Sequence, residues 1–244
     1  MKKYLVLILS FYVLNLHSQE IDISSKTIQF DFTYQSPITG MSIDYGNNSA
    51  IGLSYLTNKN DLLFGLDANF MFGNNVKNDS ILRLIGVDNL LLINANGELD
   101  EVLLYERGAN AHLLFGKSFR FEEKHLSGIY VYGGLGYLQY KTRLETNKTY
   151  LPQIDEEYIK GYDNFTNGIS TKICVDFMHF DKKTSVNYHI GLEFLNAFTK
   201  NRRAYNFSNG TVIDNSLKID QLIGLKFGII IPIQRNNEEK FHYN

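Results

Sequence analysis

Apolar and polar positions alternate with period two along most of the chain. Between Thr27 and Gln35, the residues Ile28, Phe30, Phe32 and Tyr34 face one way and Gln29, Asp31 and Thr33 the other. The same rhythm runs through 50–57, 62–72, 107–119, 127–142, 168–178, 185–198 and 217–233. In 62–72, for example, Leu62, Phe64, Leu66, Ala68, Phe70 and Phe72 oppose Gly65, Asp67 and Asn69. Side chains change face at every residue of a strand, so each segment predicts a strand, about eight in all. Pro37 and Pro152 are expected between strands and Pro232 at the end of the last one, where a missing N–H costs least.

The connections alternate between short and long. Those at 58–61, 120–126 and 179–184 are tight, whereas 36–49, 73–106, 143–165 and 199–216 are long and polar. In an up-and-down array every second connection lies at the same end, so tight turns share one end and long loops the other, as in membrane barrels. In the longest loop, Asp79 or Ser80 predicts the cap of a short amphipathic helix through Ile81, Leu84 and Ile85. Leu90–Asn94 and Glu101–Tyr105 flank Asn96-Gly97, a type I′ hairpin signal that extends the wall beyond the membrane. Asp155, Glu156 and Glu157 of the third loop are expected to pair with Lys200, Arg202 and Arg203 of the fourth.

Alternation does not say which face looks outward, because a soluble ligand-binding barrel alternates too, with its apolar residues inside. The glycines break the tie. Gly52, Gly65, Gly116, Gly134, Gly136, Gly191, Gly224 and Gly228 share the parity of the charged residues, Gly133 being the exception. Glycine is a poor choice on a solvated outer face but suits a narrow barrel whose interior has room only for side chains. The glycine-plus-charge face is therefore assigned to the lumen and the aromatic-aliphatic face to lipid. Tyr34, Tyr55, Phe72, Phe119, Phe177 and Phe198, near strand ends, are expected to form the interfacial girdles.

The N-terminus carries Lys2 and Lys3, an almost unbroken apolar run from Tyr4 to Leu16, and Ser18 at a plausible cleavage point. This predicts an export signal over residues 1–19, followed by a barrel over 20–244. The 244 residues suit one domain. A formal net charge of −2 gives no reason to expect nucleic acid as a partner. Mean hydropathy of −0.20 excludes a polytopic helical membrane protein. The single Cys174 excludes a disulfide framework and a cysteine-based zinc cluster.

Candidate chemistry is sparse. The lumen parity collects Asp31, Asp67, His112, Lys172, Asp176, His189, Glu193 and Lys226, with Arg107 and Lys218 as further candidates. Charges of both signs in a narrow low-dielectric space must pair, so these residues are expected to form a structural charge network that fixes strand register. His125, His179 and His242 fall at the turn end and none of the long loops holds a histidine, which leaves a loop-end hydrolase without a base. No two histidines sit at ligand spacing on one face, so neither metal nor cofactor is expected. Gly133–Gly136 lies inside a strand with no helix after it and does not form a phosphate loop. Cys174 is expected to be an inert buried thiol.

Tyr105–Gly108, Lys160–Gly168, Asn201-Arg202-Arg203 and Gly224–Ile233 resemble segments of small gram-negative outer-membrane β-barrel proteins, and the likeness covers most of the mature chain. The resemblance implies the fold and an outer-membrane location; that family has no established catalytic residues, so none are carried over. It also makes an accessory role beside secretion machinery conceivable. The last strand closes on Ile231-Pro232-Ile233 and a polar tail, a departure from the terminal aromatic of many such barrels. The expectation is an all-β, antiparallel, up-and-down transmembrane barrel of about eight strands. Its partners would be outer-membrane lipid and an envelope protein met through the extracellular loops. The alternatives are a secretion-complex subunit, a membrane-embedded hydrolase using His112 or His189, and a soluble periplasmic ligand-binding barrel.

Overall fold

The computed structural model describes residues 24–235, apart from 89, 123–124, 147–149, 156 and 182–185. The expected signal segment, Glu156, His242 and most of the polar tail lie outside the described residues.

Eight long strands follow one another: β1 (Ser24–Thr39), β2 (Asn48–Lys59), β3 (Leu62–Gly73), β4 (Leu99–Arg120), β5 (Gly128–Thr146), β6 (Thr166–His179), β7 (Asn187–Asn201) and β8 (Lys218–Arg235). Each pairs antiparallel with its sequence neighbours, and β1 pairs with β8, so the sheet closes on itself. Closure matters because backbone groups facing hydrocarbon have no water to bond, and a barrel leaves no open edge. A further short strand, Leu91–Ile93, pairs only with the outer end of β4.

β2 and β3 are joined by Asn60 and Asp61, both at positive φ (49° and 64°). That is the two-residue turn whose twist matches the flanking strands, and Asn and Asp tolerate the left-handed region. This turn and the connections after β4 and β6 leave from one end of the barrel; those after β1, β3, β5 and β7 leave from the other. Pro37 lies inside β1 rather than between strands, and Pro232 inside β8; each adjoins a register shift in the β1–β8 ladder. A bulge at these points absorbs the missing donor, which is why the prolines do not end the strands.

The outward positions are greasy: Phe30, Phe64, Leu66, Leu113, Phe115, Leu135, Ile169, Ile173, Leu192 and Ile229 are all exposed. The six expected girdle aromatics all point outward. On β4 the outward cations Lys117 and Arg107 bracket the nine residues 108–116, the length a tilted strand needs to cross hydrocarbon. The inward positions are polar or glycine at mid-barrel and apolar towards both ends, and Gly52, Gly65, Gly116, Gly134, Gly136, Gly191, Gly224 and Gly228 all point in. A soluble ligand-binding barrel needs the reverse arrangement. Arg107, offered above as a lumen candidate, points outward instead. It shares parity with Ala109 and Ala111, one step out of phase with His112.

Two expectations for the longest loop change. Asp79–Leu82 is a single 3-10 turn, and it buries Ile81 and Leu82 while Leu84 and Ile85 stay exposed. Two adjacent buried residues suit one turn pressed into a core, not an amphipathic stripe. At Asn96-Gly97 only Gly97 has positive φ, so the turn is not type I′. The Asn94 side chain closes it instead, its Oδ1 accepting the backbone N–H groups of Asn96 (2.9 Å) and Glu98 (3.0 Å).

Candidate functional site: lumen and loop crown

The lumen is filled in three layers. At the turn end, Leu56, Leu63, Leu114, Leu126, Tyr130, Met178, Phe180 and Ile230 pack into an apolar cap. At the loop end the first loop folds down into the mouth. Its 3-10 turn Gly40–Ile43 inserts Met41, and Tyr45 follows, against Ala50, Met71, Leu138, Tyr140, Leu195 and Leu222. Tyr45 OH lies 2.7 Å from Thr142 Oγ1, so the buried hydroxyl has its partner. Met41 and Tyr45 are at most 1% exposed and stopper the barrel.

Between the two apolar layers sit all eight charged residues expected from parity, each buried. They divide into two groups of the same make-up: two carboxylates, one lysine and one histidine. In the first, Lys172 Nζ reaches Asp67 Oδ2 (2.7 Å) and Glu193 Oε2 (3.0 Å), and His112 Nδ1 lies 3.2 Å from Asp67 Oδ1. Asn69, Asn110 and Gln35 extend this group with side-chain amide hydrogen bonds. In the second, His189 Nε2 lies 2.8 Å from Asp31 Oδ1 and Nδ1 lies 3.6 Å from Asp176 Oδ2. Lys226 Nζ lies 3.5 Å and 3.7 Å from the same two carboxylates and 3.0 Å from Tyr132 OH. Ser54 donates to Asp31, and Tyr132 donates to Asp176 at 2.5 Å. Cys174 sits between the groups, wholly buried, its sulfur 3.9 Å from Glu193 Oε2.

Each group spans several strands because its members come from different staves of the wall. Asp67 is on β3, His112 on β4, Lys172 on β6 and Glu193 on β7; Asp31, Asp176, His189 and Lys226 come from β1, β6, β7 and β8. Glycine makes the room. A Cβ at Gly136 would lie 1.9 Å from the Ala111 carbonyl oxygen and 2.7 Å from His112 Cα. At Gly228 it would lie 2.2 Å from the Phe30 carbonyl oxygen and 2.4 Å from His189 Nε2.

One contact was not foreseen from the sequence. Ser170 Oγ lies 2.8 Å from His112 Nε2, which completes a Ser170–His112–Asp67 chain with the connectivity of a hydrolase triad. Period two places Ser170 in the lumen, but only the register of β6 against β5, where Ser170 stands opposite Gly136, brings it to His112. Ser170 is 0% exposed and Lys172 already occupies the other Asp67 oxygen, so there is no space in which an acyl group could meet the hydroxyl. Among the described residues no cluster of three or more His, Cys, Asp or Glu side chains is arranged to hold a metal ion. Lys218 lies at the inner rim, its Nζ 5.3 Å from the Tyr140 ring centre. Two further lumen acids escaped notice although they share the parity. Glu106 accepts from Asn48 Nδ2 (2.9 Å), and Asp220 accepts from Tyr140 OH (2.7 Å) and Thr199 Oγ1 (2.6 Å).

Beyond the mouth, the loops build a crown with its own core of Ile81, Leu82, Leu92, Val102, Leu144, Leu151, Ile154 and Tyr162. The crown is locked to the barrel by Arg203, whose Nε and Nη2 bind Asp163 at 2.7 and 2.5 Å, while the Thr142 N–H donates to the Asp163 carbonyl (2.7 Å). Loops three and four are thus joined by opposite charges, but through Asp163; Arg202 binds Asn167 Oδ1 (2.6 Å), and Asp155 accepts from Tyr150 OH (2.9 Å). At the opposite end Asp61 carries an ion pair to Arg120 (2.6 Å). Partial burial pushes the Asp61 carboxyl up, but bonds from Arg120 and Ser118 outweigh it and hold the group below the usual carboxylate range. In the first loop, burial pushes the Asp44 carboxyl up, Lys218 opposing and Asp220 adding to the shift.

No protein-family model matches the chain, and no curated protein is matched by its sequence. Among solved structures, the chain is similar to Neisserial surface protein A, at 16% identity over 85% of this chain and 97% of that one, with a TM-score of 0.42. It is also similar to Ail, the attachment invasion locus protein of Yersinia pestis, at 11% identity over 86% and 99%, with a TM-score of 0.33. Ail has been solved alone and in complex with the heparin analogue sucrose octasulfate.

Proposed function

We propose that this chain is a small, non-enzymatic barrel of the gram-negative outer membrane, exported by residues 1–19 and acting structurally and through contacts made by its loop crown. The observation that carries the reading is the contrast between the two spaces of the molecule. The lumen is filled from end to end, and the loop end carries a second packed core outside the apolar belt. In this reading the tight turns face the periplasm and the crown faces the exterior. The eight lumen residues have a structural role: they hold the staves in register, because slipping one strand by a residue would send its charges into lipid. The Ser170–His112–Asp67 chain belongs to that same scaffold. Lipid is the obligatory partner of the belt, and an envelope protein meeting the crown is the expected macromolecular partner.

Cell fractionation combined with gel mobility before and after boiling tests the location and the closed barrel together. The expected result is recovery in the outer-membrane fraction with a mobility that shifts on heating. An unshifted band in the soluble fraction overturns the reading.

A further inference from the structure

The outward face is uncharged where it meets the crown on one half of the barrel and basic on the other. Around β8, β1, β2 and β3 the outward residues at the upper edge of the apolar belt are Ile219, Gln221, Tyr34, Ser49 and Phe72, none of them charged at neutral pH. Around β4 and β5 they are Arg107, Lys141 and Arg143. The ladder places Arg107 directly opposite Lys141 and Tyr105 directly opposite Arg143, so three cations share one small patch. Like charges facing each other across a ladder destabilise the pair. Their neighbours do little to offset this. Arg143 Nε binds Glu145 (2.7 Å), while the Arg107 guanidinium lies over the Tyr105 ring at 4.8 Å and donates to the Glu106 carbonyl. The Glu106 carboxylate itself is turned into the barrel and held by Asn48. Among the described residues no carboxylate lies within ion-pair distance of Arg107 or Lys141. Arg143 is thus paired and Glu106 acts on Arg107 only through space, which leaves Arg107 and Lys141 without a directly bonded carboxylate among the described residues.

Directly below, on the lipid side, the wall is recessed. The outward row beneath Arg107 and Lys141 reads Phe70, Ala109, Gln139, and the next reads Ala68, Ala111, Tyr137. Three alanines between the rings of Phe70 and Tyr137 make the wall low here, and they line part of an open recess that continues past Ile51 and Phe30 to Phe227 and Tyr188. Cations at headgroup height above an apolar hollow match one kind of molecule: a lipid with a phosphorylated headgroup and acyl chains. We propose that Arg107, Lys141 and Arg143, with the Ala68–Ala109–Ala111 hollow, form a binding site for a phosphorylated glycolipid of the outer leaflet. This rests on the outer-membrane orientation proposed above. The phosphates lie between the Arg107 and Lys141 side chains, where a guanidinium and an ammonium can both donate. The acyl chains run down over Ala109 and Ala111 beside Phe70 and Tyr137. The recess continues around the belt, but the three cations stand above it at β4–β5, so the barrel carries a preferred lipid there and ordinary annular lipid elsewhere.

The test uses the full chain folded into detergent micelles doped with diphosphoryl lipid A, with bound lipid counted by native mass spectrometry. Wild type is expected to retain one lipid. The R107Q/K141Q/R143Q variant, changed only at the surface, is expected to bind roughly a hundredfold more weakly, the loss expected for three interfacial cations. The turn-end control K59Q/K117Q is expected to bind as wild type does. Ala109→Phe, which fills the hollow and leaves the cations in place, is expected to weaken retention and not to change binding of inositol hexakisphosphate, a phosphate ligand without acyl chains. Equal retention by wild type and the triple variant overturns the proposal. So does loss of inositol hexakisphosphate binding alone, which would make the patch a site for soluble anions. If wild type retains the lipid while cellular fractionation finds the protein outside the outer membrane, the orientation fails and the site stands. If the barrel is found in the outer membrane and retains no lipid, the site fails and the orientation stands.

Discussion

Lys172 is the residue on which one charge group turns. It is wholly buried, and its ammonium is the bridge between Asp67 and Glu193. Removing one partner of a buried pair leaves an uncompensated charge behind, at a cost of about 3–5 kcal/mol. Lys172→Met is therefore expected to lower unfolding stability in micelles by about that much. In a Lys172→Met/Asp67→Asn double variant one of the two stranded carboxylates is gone, so part of the loss should return; guanidinium titration followed by tyrosine fluorescence measures both. If both variants matched wild type, the register-fixing role assigned to the network would be wrong. Gly228 tests the same layer through space instead of charge. A Cβ there would meet the Phe30 carbonyl oxygen and the His189 ring, so Gly228→Ala should cost about 1–3 kcal/mol. The residues of this layer were legible because parity alone sorts inward from outward on a strand. Their partition into two groups was not, since period two says nothing about which residues of distant strands share a height. Ser170 shows the gap: its face was readable, and its hydrogen bond to His112 needed the β5–β6 register.

At the scale of elements, the turns and loops divide by how local their causes are. The Asn60–Asp61 turn is dictated by two residues that tolerate positive φ, and the alternation on either side already marks it. Asp61 also holds Arg120, with its carboxyl kept below the ordinary value. A depressed folded-state value stabilises the fold above the unfolded-state pKa of about 4, and that contribution disappears as pH falls through the folded value. Asp61→Asn keeps a residue suited to the left-handed conformation and removes only the charge. It should cost less than 1 kcal/mol at pH 7, because the pair is partly exposed and screened, and the difference from wild type should shrink between pH 7 and pH 2 as the carboxyl protonates through its depressed folded-state value. Unfolding midpoints of the two proteins at both pH values check this; a gap that persists in acid would point away from the ion pair. The crown is another matter. Its short turn buries Ile81 and Leu82 because Leu92, Val102 and Leu144 are there to receive them, and Asn94 displaces a type I′ turn by binding two backbone N–H groups itself. Such choices depend on contacts between loops, which a period read along one segment does not contain.

At the scale of the molecule, the apolar and polar layers stacked along the barrel axis decide whether anything passes through it. A polar lumen alone would suggest a channel. Here Met41 and Tyr45 fill the mouth, Leu126, Tyr130 and Phe180 fill the turn end, and the eight charged residues between them bind one another instead of facing a water column. Eight strands leave an interior just wide enough for side chains, so the filling is a consequence of strand number as much as of sequence. Planar-bilayer recordings of the wild-type protein are therefore expected to show no discrete conductance steps. Replacing residues 40–46 by a flexible glycine–serine segment removes the stopper but leaves the charged layer and the lower cap, so this variant should be silent as well while losing stability. Truncating a buried tyrosine or methionine typically costs about 2–5 kcal/mol, and the variant loses one of each. Stable unitary steps from wild type would overturn the sealed-barrel account. Steps from the loop variant alone would make the first loop the whole seal and the charged layer a hydrated path, which would move the function from the crown to the lumen.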